Sequence, residues 1–178
     1  RTVRVSEELM RYISPMETPQ GALFTVALPE PEPPAALSGR HYLVLDGVQD
    51  PGNVGTILRT ADAFECDGVF LINACADPYN PKTARATMGA VFRREVYSIA
   101  PEALVALLAQ SGVSLYGTAL RADTVPLAQA DLSRAAVAIG SEGKGLSQQL
   151  LDACEKTLKI PMSARCESLN AAVAAAVV

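Results

Sequence analysis

From Gly39 onward, short apolar runs alternate with longer stretches of helical periodicity. Six apolar runs predict β-strands, at His41–Leu45, Gly68–Ile72, Glu95–Ile99, Ser114–Thr118, Ala135–Ile139 and Thr157–Ile160. Four periodic stretches predict helices, at Val54–Phe64, Pro101–Gln110, Leu146–Cys154 and Leu169–Val178. Because near-continuous apolar strands separated by helices are buried on both faces, the pattern predicts an α/β fold, a parallel sheet with helices on both faces.

The first 38 residues follow a different pattern. They predict a short helix around Ser6–Tyr12 and a strand around Ala22–Leu28, before the proline-rich run Pro29–Pro34. Proline fixes φ and removes a backbone donor, so this run cannot join a helix or a central strand. We expect residues 1–38 to be the remnant of an N-terminal domain plus a linker, and residues 39–178 to form the main domain.

The composition is that of an ordinary folded domain, with 49% hydrophobic and 19% charged residues among 178. No apolar run reaches the roughly 18 residues that a membrane helix needs, and the start of the sequence has no signal-peptide pattern. We therefore expect no membrane partner and a cytoplasmic location. The net charge of −4 argues mildly against a nucleic-acid partner. The densest basic stretch, with Lys82, Arg85, Arg93 and Arg94, is by itself typical of a solvated face.

The sequence has few cysteine and histidine side chains that could bind a metal or act in nucleophilic catalysis. The four cysteines, Cys66, Cys75, Cys154 and Cys166, have no C-x-x-C spacing, and His41 is the one histidine of the sequence. A zinc site would lack ligands, and a Ser-His-Asp or Cys-His arrangement needs a histidine beside its nucleophile. We expect buried free thiols, no bound metal, and a reaction that needs neither.

The first stretch that could carry chemistry is Leu45–Gly55, where a strand ends, a Pro-Gly turn follows and a helix opens. Ligands of parallel sheets sit at such carboxyl ends of strands. The apolar stripe of the helix is predicted to be Val54, Ile57, Ala61 and Phe64. Arg59 lies off this stripe, so packing does not explain it. The structural alternative is that Asn53 caps the helix and Arg59 pairs with Asp62.

The second stretch is Gly140–Ser147, directly after an apolar run. Its glycines follow the order G-x-x-G-x-G, which matches neither the dinucleotide fingerprint nor the Walker loop. The glycines indicate either a tight connection between strand and helix or a loop that approaches a ligand. Glu142, between the glycines, gains nothing from packing.

The third stretch runs from Ile160–Met162 to Ser168–Asn170 and opens the helix Ala171–Val178. This helix consists of Ala and Val without a charge, so we predict that it is buried on nearly all sides. Under a purely structural interpretation, Ser168 would be its N-cap.

In this order, the three stretches resemble the SpoU/TrmH family of the SPOUT methyltransferases. The resemblance extends from about Tyr42 to the end of the chain. It rests on Asp50–Gly55 with Arg59–Ala61, on Gly140–Ser147, and on Ile160–Met162 with Ser168–Asn170. Two further segments, Asn80–Lys82 and Arg85–Arg93, also look like a signature of the family.

The resemblance implies a parallel α/β sheet whose C-terminal part forms a deep trefoil knot, with S-adenosylmethionine as the cofactor. It also implies a homodimer whose active site is completed across the interface. The implied cofactor-binding residues are Gly140, Ile160 and Leu169, together with Met162, Leu146, Thr118 and Ala119.

The activity implied is methyl transfer to a ribose 2′-OH of rRNA or tRNA. The implied catalytic residues are Arg59, Asn53, Glu142, Ser168 and Asn170. The implied RNA contacts are Lys82, Arg85 and Arg93. Residues 1–28 are similar to the last helix and strand of the separate RNA-binding domain that members of the family commonly carry.

Two other functions stay open at this point. A catalytically inactive, knotted RNA-binding or assembly factor is one, although the joint presence of Asn53, Arg59, Glu142, Ser168 and Asn170 argues against it. The other is an unrelated α/β enzyme that binds a nucleotide or phosphate at the turn after Asp50. Such an enzyme would bind a nucleotide and ignore S-adenosylmethionine.

Overall fold

The computed structural model describes residues 2–28, 31–122, 124–163, 165–166 and 168–178. The chain divides into two compact units, Arg1–Glu30 and Pro31–Val178. In the first unit, Ser6 caps helix α1 (Glu7–Ile13) by accepting a hydrogen bond from the Leu9 N–H at 3.2 Å. The predicted strand over Ala22–Leu28 is wrong, because a strand needs a neighbouring ladder and the described part of this unit has no second strand.

The second unit begins earlier than the boundary that we predicted after residue 38. Leu37 is only 5% exposed, which places it in the core of this unit. Its N–H donates to Ser111 Oγ at 2.9 Å, and its carbonyl accepts from the Arg134 guanidinium at 2.9 Å. The end of the proline run is therefore part of the folded unit, while Pro29 and Glu30 lie outside the described residues.

The second unit is built on one seven-stranded parallel sheet with the order β3-β2-β1-β6-β4-β7-β5. Its strands are β1 (His41–Asp46), β2 (Gly68–Ile72), β3 (Val96–Ser98), β4 (Ser114–Thr118), β5 (Val125–Pro126), β6 (Ala135–Gly140) and β7 (Lys156–Lys159). Its helices are α2 (Pro51–Ala63), α3 (Pro81–Ala86), α4 (Pro101–Ser111), α5 (Gln148–Ala153) and α6 (Ala171–Val177). Two short 3₁₀ helices cover Ala90–Phe92 and Leu127–Gln129.

The six predicted strands are all present, and successive residues of each strand pack on opposite sides of the sheet. In β1, Leu43 and Leu45 belong to one hydrophobic cluster, which includes residues of α2 and α6. Tyr42 and Val44 belong to a second cluster, which includes residues of α4 and α5. Helices therefore cover both faces, as predicted. We did not predict β5, a two-residue strand containing a proline, nor α3, which has only six residues.

Helix α2 begins three residues before the predicted start. Asp50 is its N-cap and accepts from the Asn53 N–H at 2.8 Å, with Pro51 at the first helical position. The alternative in which Asn53 caps the helix is therefore wrong. Phe64 follows the helix and is 73% exposed, so it is not part of the buried stripe, which Leu58 joins instead.

Helix α6 differs from the prediction in two ways. Its N-cap is Asn170, whose Oδ1 accepts from the N–H groups of Ala172 and Val173 at 3.0 and 3.3 Å, so Ser168 is not the cap. The helix is also not buried on all sides, since Val173 and Val177 are 49% and 47% exposed. The small, uncharged Ala and Val side chains of α6 would permit burial of the whole helix, but only one of its faces packs against the sheet and α2.

All four cysteines are free, as expected, but their burial is only partial. Cys66, Cys75 and Cys154 are half-buried, and burial raises the pKa of the Cys66 and Cys75 thiols. Cys166 is exposed, which contradicts the prediction for this residue, because it lies in a polar loop rather than in an element of the core. Among the described residues, no helix is long and apolar enough to span a membrane, and no group of three His, Cys, Asp or Glu side chains forms a metal site.

Candidate active site

A cavity of about 630 Å³, here called the first cavity, lies at the carboxyl ends of β4, β6 and β7. Three loops that are far apart in the sequence form its walls. They are the segment after Thr118, the segment after Ile139, and the described residues between Leu158 and Ala174. Because all the strands are parallel, their carboxyl ends meet at one edge of the sheet, where ligands of such sheets bind.

Six of the seven predicted cofactor-binding residues line the first cavity: Gly140, Ile160, Leu169, Met162, Thr118 and Ala119. The exception is Leu146, which is 7% exposed and packs in the hydrophobic core. Sequence reasoning missed Ile139 and Leu158, which also line the cavity. Their position at the ends of β6 and β7 is the signal that could have found them.

The glycine-rich loop after β6 folds back tightly on itself. Ser141 and Gly145 exchange two backbone hydrogen bonds, of 2.8 and 3.2 Å. A Cβ on Gly140 would lie 2.2 Å from the carbonyl carbon of Gly145 and 2.5 Å from the Leu146 nitrogen. Gly145 has a φ of +68°, a conformation that favours glycine. The tight connection between strand and helix is therefore confirmed, and the loop also forms a wall of the cavity, while its approach to a ligand stays a prediction.

Asn53, Glu142 and Asn170 form a hydrogen-bonded cluster, here called the amide–carboxylate cluster. Glu142 Oε1 accepts from Asn53 Nδ2 at 2.9 Å and from Asn170 Nδ2 at 2.7 Å. Asn170 Nδ2 also donates to Asn53 Oδ1 at 3.0 Å. Within the described residues, no hydrogen bond reaches Glu142 Oε2. The structure thus brings together three of the five predicted catalytic residues and leaves one carboxylate oxygen available.

The other two predicted catalytic residues are placed differently. Ser168 lines the first cavity, on the same side as Asn170. Arg59 is exposed on α2 and lines neither the first cavity nor the neighbouring cavity at Asp46. It follows Asn53 by six residues, which amounts to about 9 Å along the helix axis and about 120° of rotation away from it. Within one chain, Arg59 therefore does not join the cluster.

A second cavity, of about 600 Å³, lies beside the first and shares Ser141, Glu142 and Gly145 with it. Asp46, at the end of β1, lies at its base and is 3% exposed. Its two carboxylate oxygens accept from Asn73 Nδ2 at 2.7 Å and from the Ser147 N–H at 2.6 Å. These bonds tie the ends of β1 and β2 to the loop after β6.

One of the predicted RNA contacts, Arg93, is held by hydrogen bonds within the protein. Arg93 donates twice to Asp62 Oδ2, at 2.6 and 3.0 Å, and Arg94 donates to Asp62 Oδ1 at 2.7 Å. Hydrogen bonds from Arg94 and then Arg93 hold the pKa of Asp62 below its ordinary value. The proposed pairing of Arg59 with Asp62 is not formed, because these two arginines occupy the carboxylate.

The remaining two predicted RNA contacts lie on α3. Lys82 Nζ lies 3.9 Å from Asp50 Oδ2, a long and solvent-exposed pair. Arg85 is exposed in the last turn of the helix. Both residues are therefore at the surface of the domain.

A parallel sheet between two helical layers, with a ligand-sized cavity at the carboxyl ends of its strands, is the architecture of a ligand-binding α/β domain. Residues 40–178 match the SpoU rRNA Methylase family. The chain belongs to this family and is a methyltransferase domain. The family resemblance that the sequence motifs predicted is thereby confirmed.

The most informative relatives include both named enzymes and solved structures. The chain is 38% identical over 174 residues to the 23S rRNA (guanosine(2553)-2′-O)-methyltransferase RlmP of Bacillus subtilis, covering 97% of this chain and 68% of the relative. A second curated relative, from Synechocystis, is 36% identical, and the chain spans 64% of its length. An AdoMet-bound rRNA methyltransferase structure from Sinorhizobium meliloti matches with a TM-score of 0.82 at 31% identity, over 97% of this chain and 67% of that one.

Proposed function

We propose that this domain transfers a methyl group from S-adenosylmethionine to a ribose 2′-OH of rRNA. The observation that carries the proposal is the amide–carboxylate cluster of Asn53, Glu142 and Asn170 at the wall of the first cavity. The RlmP relative, whose name specifies a guanosine 2′-O position, supports a guanosine as the target nucleotide.

The first cavity fits S-adenosylmethionine in size and in chemistry. Its volume of about 630 Å³ lies within the range of small-molecule sites. Apolar surface for an adenine ring is offered by Ile139, Leu158, Ile160 and Leu169. Gly140 also lines the cavity, so backbone atoms can contact the cofactor there without a side chain between them. When bound, this cofactor supplies a methyl group that is already activated on a positively charged sulfur.

The protein must then position the ribose hydroxyl and ease the loss of its proton. Asn53 and Asn170 hold Glu142 through Oε1, so Oε2 is the oxygen that accepts the hydroxyl hydrogen. Asn170 is itself fixed, because its Oδ1 caps α6. Ser168, on the cavity wall, orients the ribose.

Arg59 acts as an electrostatic clamp in this proposal rather than as a base. A guanidinium is a poor base because it stays protonated in nearly all protein settings. It can bind the phosphate next to the target ribose with two parallel hydrogen bonds and stabilise the developing alkoxide. Because Arg59 faces away from the cluster of its own chain, we assign it to the site of a second copy in a homodimer.

The homodimer and the C-terminal knot are parts of the same proposal. Exposed Phe64, directly after α2, and exposed Val173 and Val177 of α6 supply apolar surface on the side that would meet a second copy. The knot is supported by the path of the chain after β7. That strand lies beyond β4 from β6, yet the chain returns to place α6 against β6 and α2.

Transfer of a labelled methyl group to rRNA tests the chemistry. A ribose methylated at the 2′-oxygen cannot assist cleavage of the adjacent phosphodiester, so alkaline hydrolysis leaves the label in dinucleotides. We expect label from S-[methyl-³H]adenosylmethionine in the alkali-stable dinucleotide fraction. Label confined to mononucleotides would indicate base methylation and contradict the proposal, as would absence of transfer to every rRNA tested.

A further inference from the structure

The second cavity has no role in binding the cofactor in the scheme above, yet it shares a wall with the first cavity. Ser141, Glu142 and Gly145 belong to both linings, and Asn53 faces the second. Its volume of about 600 Å³ is that of a small-molecule site. A ligand in the second cavity would therefore lie directly across the amide–carboxylate cluster from a ligand in the first.

The base of the second cavity is held by Asp46 and is not itself available. Both Asp46 oxygens are engaged, one by Asn73 Nδ2 and the other by the Ser147 N–H. Asp46 is 3% exposed, so these bonds lie away from water, where they are strongest. The carboxylate therefore fixes the Asn73 amide, the side chain at the end of β2, in one orientation.

Around this base, several polar groups have unused hydrogen-bonding capacity. Within the described residues, no hydrogen bond reaches Asn73 Oδ1 or Glu142 Oε2. The side chains of Gln49 and Lys144 also have no hydrogen-bond partner among the described residues. Because Glu142 Oε2 is assigned to the ribose hydroxyl, the cavity offers a base one free acceptor on Asn73, the Lys144 cation, and the Gln49 amide, which can donate and accept.

From this arrangement we infer that the second cavity binds the nucleobase of the target nucleotide and selects guanine. Guanine presents adjacent N–H donors at N1 and N2 beside the O6 acceptor, which matches the amide oxygens of Asn73 and Gln49 together with the Lys144 cation. The ribose attached to a base in this cavity would lie at the shared wall, beside Glu142. The inference rests on the proposed function and adds a base-recognition site to it.

A positive charge beside the second cavity suits a nucleotide, which carries a phosphate, better than a free base. Lys82 Nζ lies 3.9 Å from Asp50 Oδ2, and Asp50 lines the second cavity. This ion pair is exposed at both partners, so its net contribution is small and the ammonium can turn to a phosphate. An unstacked nucleotide, the form that proteins read by its base edge, would therefore find both base and phosphate partners here.

Direct binding of mononucleotides tests the inference without requiring turnover. The four ribonucleoside 5′-monophosphates are titrated by NMR into the whole chain saturated with S-adenosylhomocysteine. We expect GMP to bind at least about five-fold more tightly than AMP, CMP or UMP, and Gln49→Ala to weaken GMP binding about five-fold, the loss of about one hydrogen bond. Lys144→Ala should weaken GMP binding by a similar factor.

The matched control is Gln129→Ala, which removes an exposed glutamine that lines neither cavity. It should leave GMP binding unchanged. Equal affinity for all four nucleotides, or GMP binding unaffected by both Gln49→Ala and Lys144→Ala, would overturn the inference. If either of these results is found while rRNA is labelled normally, the base-recognition site is rejected and the proposed methyltransferase function is retained. If GMP binds as expected but no rRNA is labelled, the proposed function fails.

Discussion

Asn170 Nδ2 donates a hydrogen bond to Asn53 Oδ1 at 3.0 Å, although the two residues are 117 positions apart in the chain. Each amide also donates to Glu142 Oε1. The start of α2, the glycine-rich loop and the start of α6 are therefore joined at one point. Such a network fixes the carboxylate in one orientation and leaves its second oxygen for a ligand.

Replacing Glu142 by glutamine separates the charge of this side chain from its role in the network. In Glu142→Gln the amide oxygen can still accept from Asn53 and Asn170, so the free energy of unfolding should change little. The kcat of rRNA methylation should fall by about 100-fold or more, because the proton acceptor is lost. The exposed Glu155→Gln is the control, and a Glu142→Gln enzyme with nearly full kcat would refute this role.

Arg59 should act on the amide–carboxylate cluster of the other protomer. Arg59→Ala and Glu142→Gln should each be inactive as pure homodimers. When they are unfolded together in equal amounts and refolded, half of the dimers are mixed and each holds one complete site, so about a quarter of wild-type activity should return. If no activity returns although mass spectrometry detects mixed dimers, Arg59 does not act across the interface.

The sequence predicted most of the sheet because most of its strands are short apolar runs separated by stretches of helical periodicity. It also predicted that Arg59 is not part of the core, since the helical stripe excludes it. The caps were harder to predict. Asp50 and Asn53 are both good N-caps, as are Ser168 and Asn170, and only the folded backbone decides which of each pair is used.

The wrong strand at residues 22–28 has a similar physical cause. The apolar residues of Ala22–Leu28 suit a strand, but a strand forms only where a partner exists, which periodicity cannot report. The hydrogen bonds among Asn53, Glu142 and Asn170 depend on how distant loops approach each other. Motif order alone suggested that these residues act together, and no local spacing could give their contacts.

RNA affinity should depend on Lys82 and Arg85 through phosphate contacts. Each of Lys82→Ala and Arg85→Ala should weaken RNA binding and reduce the slope of log K against log salt by about 0.7 to 0.9. Arg93→Ala should reduce the slope less than Lys82→Ala, because Asp62 holds the Arg93 guanidinium in two short hydrogen bonds, whereas the Lys82 pair with Asp50 is long and exposed. Filter binding at several salt concentrations measures the slopes, and unchanged slopes for Lys82→Ala and Arg85→Ala would reject these contacts.

Asp62 should make the stability of the domain depend on pH in the acid range. Arg94 and Arg93 hold the pKa of Asp62 below 3.8, so the folded state favours the ionised carboxylate. The resulting stability is present above the unfolded pKa and is lost as pH falls through the lower, folded pKa. In urea unfolding, wild type should be more stable than Asp62→Asn by a constant amount from pH 7 to about pH 5, and the difference should shrink below that. A difference that grows on acidification would contradict this.

The first cavity should bind S-adenosylmethionine through the loop after β6, and calorimetric titration of the cofactor into the protein measures this binding. Wild type should bind, and Gly140→Ala should weaken binding by about ten-fold or more, because its Cβ would collide with backbone atoms of Gly145 and Leu146. Gly143→Ala in the same loop should bind like wild type, since a Cβ there meets nothing within 4 Å. Failure of wild type to bind the cofactor, or equal affinity of a folded Gly140→Ala variant, would contradict the account.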